Sequence, residues 1–113
     1  MAITIYHNPK CGTSRQTLDL IRQAGHEPKI VEYLKTPLDK AGLKALVKKA
    51  GVPVREIVRA KEPLYGELQL DKAGDEKLFD AMVQHPILMN RPIVETATRA
   101  KLCRPPEAVK ELI

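Results

Sequence analysis

Apolar positions along this chain recur with two different spacings, and the changes between them mark its elements. Ile3 and Ile5 open a short strand over residues 1–6. From Thr13 onward, Thr17, Leu18 and Ile21 recur at helical spacing and predict a helix over 13–24. Gly25 terminates that helix, His26-Glu27-Pro28 turns the chain, and the β-branched pair Ile30-Val31 predicts a strand over 29–33. Strand, helix and strand joined by short links imply two parallel neighbours connected by a right-handed crossover. Helical patterns then take over. Thr36 as a cap, Pro37 at the first helical position and Asp39 in the first turn predict a helix with Leu43, Leu46, Val47 and Ala50 inward, ended by Gly51. Val52-Pro53 opens a shorter one, with Val54, Ile57 and Val58 inward and Arg59 at or just past its end. A helical turn within 62–70 and a helix over 75–85, built on Leu78, Phe79, Met82 and Val83 and stopped by Pro86, complete this part. Strand-like segments over 93–96 and 101–103 follow, with a turn at Thr98-Arg99 between them. Arg104-Pro105-Pro106-Glu107 then opens a last helix, with Val109, Leu112 and Ile113 inward.

The order is therefore βαβ, a helical insertion over about 38–89, then ββα. Its first and last parts give an α/β, thioredoxin-like (glutaredoxin-like) plan: a four-stranded mixed sheet whose first two strands are parallel and whose last two form a hairpin. No repeat, low-complexity tract or linker divides the 113 residues, so one domain over 1–113 is expected.

Composition narrows the function classes. The formal charge is +5 and the isoelectric point about 9.3, which raises the question of nucleic acid. The basic residues are scattered, however, and aromatics make up only 4% with no Trp, too few for a base-stacking platform. No DNA-reading motif is present, so a small anion is the better partner. Lys40, Lys44, Lys48 and Lys49 read as a solvated helix face. No apolar run reaches the length of a membrane span. The start of the chain carries no charged-then-apolar signal segment, so a cytoplasmic protein is expected, with neither membrane nor nucleic acid as partner. Cys11 and Cys103 are far apart in sequence, and neither belongs to a CxxC or a zinc-type cluster, so no metal is expected.

The chemistry concentrates in Tyr6-His7-Asn8-Pro9-Lys10-Cys11-Gly12-Thr13-Ser14-Arg15. Asn8-Pro9 signals a turn, which leaves Cys11 where the first helix begins. Free N–H groups and the positive end of the macrodipole favour a thiolate there. Lys10 and Arg15 add cationic charge, and Thr13 and Ser14 offer hydroxyls. A Lys, a Gly and two hydroxyl residues are poor core neighbours, which argues for a reactive Cys11 over a buried one. His7 has two readings: a neutral ring that orients the loop, or an imidazolium that supports the thiolate. Arg59 also has two, as a cation complementing a helix end or as a binding residue.

This loop, together with Ile57-Val58-Arg59, with His85-Pro86-Ile87-Leu88-Met89-Asn90-Arg91-Pro92-Ile93-Val94 and with Leu102-Cys103-Arg104-Pro105, resembles the arsenate reductases that work with glutathione and glutaredoxin. The resemblance runs over nearly the whole chain. It implies that Cys11 is the nucleophile and that Arg59, Arg91 and Arg104 form an oxyanion clamp. It further implies that His7 and Ser14 support the thiolate, and that Pro92 follows a cis peptide. Arsenate would be the substrate and glutathione a co-substrate, with glutaredoxin as partner and no bound cofactor. The chain departs from longer members by a shorter segment after Arg59 and by ending at Ile113. Ser14 occupies the position a CxxC partner would take, so an external thiol is required. If 102–104 is extended, Arg104 facing the anion turns Cys103 away from it, and Cys103 is expected to be buried and structural. Two other classes share features of the pattern: a thioredoxin-fold regulator that binds RNA polymerase, and a related glutathione-dependent thiol reductase with another substrate. The missing CxxC weighs against the first and the three arginines against the second.

Overall fold

A computed structural model describes residues 2–113, so Met1, where the predicted first strand begins, lies outside the described residues. β1 (Thr4–His7) runs through the middle of a four-stranded sheet of order β2-β1-β3-β4. It pairs in parallel with β2 (Lys29–Glu32) and antiparallel with β3 (Ile93–Glu95), which pairs antiparallel with β4 (Ala100–Leu102). The four-stranded mixed sheet expected from the pattern is thus present, with its parallel half and its hairpin.

Strand alternation divides the interior into two cores. Ile5 faces Val94 across the β1–β3 ladder, and both join Ile3, Leu18, Ile21 and Val109 on one side of the sheet. Tyr6 faces Ile93, and both join the helical insert on the other side. The first core is covered by α1 (Gly12–Gln23) and a C-terminal 3-10 helix (Pro106–Glu111). The second is covered by α2 (Lys40–Ala50), α3 (Pro63–Glu67), α4 (Asp75–Gln84) and short 3-10 turns. Lys40 and Lys44 of α2 reach across to Glu76 and Asp80 of α4, exposed pairs of small energetic weight. No helix among the described residues is long and apolar enough to cross a membrane.

Two local expectations are corrected. Thr36 does not cap a helix with Pro37 inside it. The cap of α2 is Asp39, whose Oδ1 accepts the Gly42 N–H at 2.7 Å, while the Thr36 hydroxyl donates to the Glu32 carbonyl at 3.3 Å. Gly42 makes room for that cap, since a Cβ there would stand 3.1 Å from Asp39 Oδ1. The last element is a 3-10 helix, held by bonds such as Ala108 N–H to the Pro105 carbonyl and Leu112 N–H to the Val109 carbonyl, each spanning three residues. The ends of the first helix, by contrast, lie within a residue of the expected ones. Beyond it Gly25 takes a φ of 89°, and the His26 N–H returns to the Ile21 carbonyl.

Candidate active site

The loop from β1 to α1 is built by its own side chains. Asn8 is buried, and its Oδ1 accepts the Lys10 N–H at 3.0 Å while its carbonyl accepts the Cys11 N–H at 3.0 Å. This side-chain-closed turn delivers Cys11 to the N-cap of α1 with extended backbone angles, and its carbonyl takes the first helical bond from Arg15. One turn later Ser14 is fully buried. Its Oγ accepts the Asn8 N–H at 3.1 Å and shares a 2.6 Å hydrogen bond with Nδ1 of His7.

Burial is the largest single influence on the Cys11 thiol and pushes its pKa up. The Ser14 N–H, the Arg104 guanidinium and the Thr13 N–H together outweigh it, and the net shift is downward from the ordinary thiol value. Neither N–H closes a cap hydrogen bond of the usual geometry with the side chain; they act as the positive end of the helix. The cation at the sulfur is Arg104, whose Nη1 stands 3.7 Å from Sγ and also donates to the Arg91 carbonyl at 2.9 Å. Lys10 and Arg15, expected to add cationic charge there, do not contact the sulfur. Lys10 is exposed, and the Arg15 guanidinium donates to the Pro9 carbonyl. Burial also lowers the His7 pKa, against the pull of Glu32 and with help from Arg22 and Arg15. That direction disfavours the imidazolium and, with the Nδ1–Ser14 hydrogen bond, agrees with the loop-orienting reading of His7.

Cys11 opens onto a cleft of about 480 Å³ lined by Asn8, Lys10, Gly12, Thr13 and Gln16 and by the three arginines 59, 91 and 104. Arg104, 93 positions from Cys11 in sequence, thus meets it at one cleft. Arg59 follows the Val58–Met89 bridge, which ties two segments of the insert together, and its N–H donates to the Leu88 carbonyl at 2.7 Å. Arg91 is buried, donates from Nη1 to the Ile87 carbonyl at 3.3 Å, and keeps an Nε without an acceptor. The Arg91-Pro92 peptide is cis, and so is Arg104-Pro105. Three guanidinium groups lining the cleft beside the sulfur suit a tetrahedral oxyanion, because guanidinium donors match such an anion and none loses its charge. Among the described residues no group of three or more His, Cys, Asp or Glu converges in a way that would hold a metal.

Cys103 lies elsewhere. Fully buried in the α1-side core, its thiol is pushed up to about 12 by burial. Two further residues at the site carried no signal beyond local pattern. Tyr33 reads as the end of a strand, yet its phenol is buried, donates to the Met89 carbonyl at 3.5 Å and lies within electrostatic reach of Arg91, Cys11 and Arg59. Glu62 reads as part of a helical turn, yet its carboxylate stands 3.8 Å from both Arg59 and Arg91. The i,i+3 spacing from Arg59 was the one local signal for it, while its Arg91 partner comes from a distant segment.

A thioredoxin-like sheet carrying one accessible thiol at a helix N-terminus, with arginines gathered around it and no CxxC, defines a narrow class of thiol protein. Residues 6–112 match the ArsC family. An arsenate reductase of Rhizobium meliloti (strain 1021) is 50% identical over 115 residues, covering 100% of this chain and 82% of that protein. An arsenate reductase of Escherichia coli (strain K12) is 51% identical, covering 98% of this chain and 80% of that one. The structure of an arsenate reductase from Vibrio cholerae superposes with a TM-score of 0.96 at 44% identity, covering 100% of this chain and 98% of that chain. The chain belongs to the ArsC family.

Proposed function

We propose that this protein reduces arsenate to arsenite through a covalent intermediate on Cys11, with electrons from glutathione and glutaredoxin. The observation that carries the reading is the Arg104 guanidinium 3.7 Å from Cys11 Sγ, in a cleft that Arg59 and Arg91 also line. Arsenate is an anion, and a thiolate approaching it meets like charge. Guanidinium groups answer both needs: they hold the oxyanion and they take up charge as an oxygen departs. The Cys11 thiolate attacks arsenic, an S–As bond forms, and one arsenate oxygen leaves as water after protonation. A glutathione thiolate then attacks Cys11 Sγ. An S–S bond forms as the S–As bond breaks, its electron pair passes to arsenic, and As(V) leaves as arsenite. Glutaredoxin removes glutathione from Cys11 by thiol exchange and regenerates the thiolate. The second thiol has to come from outside the chain: Ser14 stands where a CxxC partner would be, and Cys103 is sealed in the core. His7 and Ser14 serve this scheme by fixing the loop, Ser14 through its N–H at the sulfur and His7 through the Ser14 hydroxyl. A glutathione-rich, reducing compartment such as the cytoplasm is where the cycle turns over.

The test is arsenate-dependent NADPH oxidation with glutathione, glutathione reductase and glutaredoxin supplied. Turnover that needs all three and yields arsenite is expected. A folded protein that gives no arsenate-dependent oxidation would contradict the reading.

A further inference from the structure

We infer that Glu62 is a positioning residue for the arginine clamp: its carboxylate bridges Arg59 and Arg91 and sets the direction in which both guanidinia face the oxyanion. The inference rests on the reading of those arginines as oxyanion ligands, and it concerns a residue that reading does not use. One oxygen, Oε2, stands 3.8 Å from Arg59 Nε and 3.8 Å from Arg91 Nη1, and the side chain is about four-fifths buried at 22% exposure. Glu62 does not itself line the cleft, so an oxyanion can enter without displacing it. Among the described residues it is the one ion-pair partner of each of these arginines.

Two guanidinium groups facing a common cleft repel each other, and a carboxylate between them offsets that repulsion where water is largely excluded. Arg91 has further anchors, at the Ile87 carbonyl through its side chain and at Asn90 Oδ1 through its backbone. Arg59 therefore depends on Glu62 more. The carboxylate is in turn well placed by its backbone. The Glu62 N–H donates to the Arg59 carbonyl at 3.2 Å, its own carbonyl accepts the Tyr65 N–H at 2.9 Å, and it forms the N-cap residue of α3 ahead of Pro63. The Arg55 guanidinium staples the segment that follows, donating to Tyr65 Oη at 3.0 Å and to the carbonyls of Leu70 at 3.1 Å and Ala73 at 2.6 Å. A distance of 3.8 Å is too long for a hydrogen bond, so Glu62 acts on the two guanidinia through charge and does not take up their hydrogen-bond donors.

A carboxylate near an anion site has a second reading, as plain negative charge that weakens binding. The two readings predict opposite signs. As a positioning residue, Glu62→Gln raises the arsenate KM by about threefold or more with a smaller change in kcat. It also weakens arsenate protection of Cys11 against iodoacetamide, a readout that needs no turnover. The penalty shrinks in an Arg59→Ala background, because the residue through which Glu62 acts is gone. A KM that falls or stays level in Glu62→Gln, or a penalty of unchanged size beside Arg59→Ala, overturns the assignment. Circular dichroism and a thermal melt on each variant separate these outcomes from a folding defect. If Arg59→Ala and Arg91→Lys both leave KM and protection at the parent level, the clamp itself is wrong and Glu62 falls with it. If those variants are impaired and Glu62→Gln is not, only the role of Glu62 is lost.

Discussion

Cys11 and Cys103 are the same side chain in two settings, and the contrast shows where reactivity comes from. Cys103 follows β4 directly, fully buried among Ile5, Val94 and Val109, with only the Lys101 carbonyl at 3.5 Å as a weak polar partner. Burial raises its thiol to about 12, and the opposing pulls of Lys101 and the Val94 backbone are too small to offset it. Cys11 also feels burial as its largest single influence, but it meets the Ser14 and Thr13 N–H groups and the Arg104 guanidinium, and its pKa falls. One peptide unit separates the two environments. Arg104 is the neighbour of Cys103: just past the end of β4, one side chain is sealed in the core and the next reaches the Cys11 sulfur. The pKa of a thiol falls here through peptide N–H groups and a cation brought from the far end of the sequence, as the proposed nucleophile requires.

The largest expected effect is removal of the nucleophile. Cys11→Ser abolishes arsenate reduction, measured as arsenite formed in the coupled assay; turnover that survives in this variant would erase the contrast. Next come the arginines. Arg91→Lys or Arg104→Lys keeps the charge and loses the planar fork, and lowers kcat/KM about tenfold or more, roughly 1.4 kcal/mol of transition-state binding. Arg→Ala at either position costs more. Arg22→Ala, which removes an exposed pair with Glu27, leaves kcat/KM near the parent value and serves as the control. Smaller still is Cys103→Ala. It retains most of the activity and lowers stability by roughly 1 kcal/mol through lost packing, as read from urea unfolding. A loss of turnover comparable to that of Cys11→Ser, in a folded Cys103 variant, would replace the one-thiol scheme with a two-thiol one.

How much of this was legible in the chain depends on the range of the interactions. Local periodicity was enough for β1, α1, the parallel pair and the hairpin, because their apolar stripes and the terminator Gly25 act within a few residues. It misplaced the start of α2, where a capping Asp39 with Gly42 opposite outcompeted Thr36-Pro37. It also did not foresee a 3-10 helix at the end of the chain. At the site, the placement of Cys11 at a helix start was readable from Asn8-Pro9 and the spacing that follows. The gathering of Arg59, Arg91 and Arg104 came from family resemblance, since no local pattern aims side chains from different elements at one point. The same limit explains why the cation in contact with the sulfur was not foreseen. Lys10 and Arg15 are near Cys11 in sequence, whereas Arg104 is near it in space, 93 residues away. Tyr33 was missed for that reason too, reaching Met89 across 56 residues, and so was the Arg91 half of the Glu62 bridge; its Arg59 half is local, at i,i+3 spacing, and was overlooked.

The central claim is that the fold divides two cysteines into one thiolate and one inert core thiol, and alkylation of the native protein tests it most directly. Iodoacetamide modification is followed against pH, with each cysteine quantified by peptide mapping. A depressed pKa means that thiolate persists to lower pH, so the Cys11 rate should reach its midpoint below about 8.5, the value of an unperturbed cysteine, while Cys103 stays unmodified across the range in which the fold is intact. A Cys11 midpoint at or above that value, or alkylation of Cys103 at a comparable rate in the folded protein, would contradict the account.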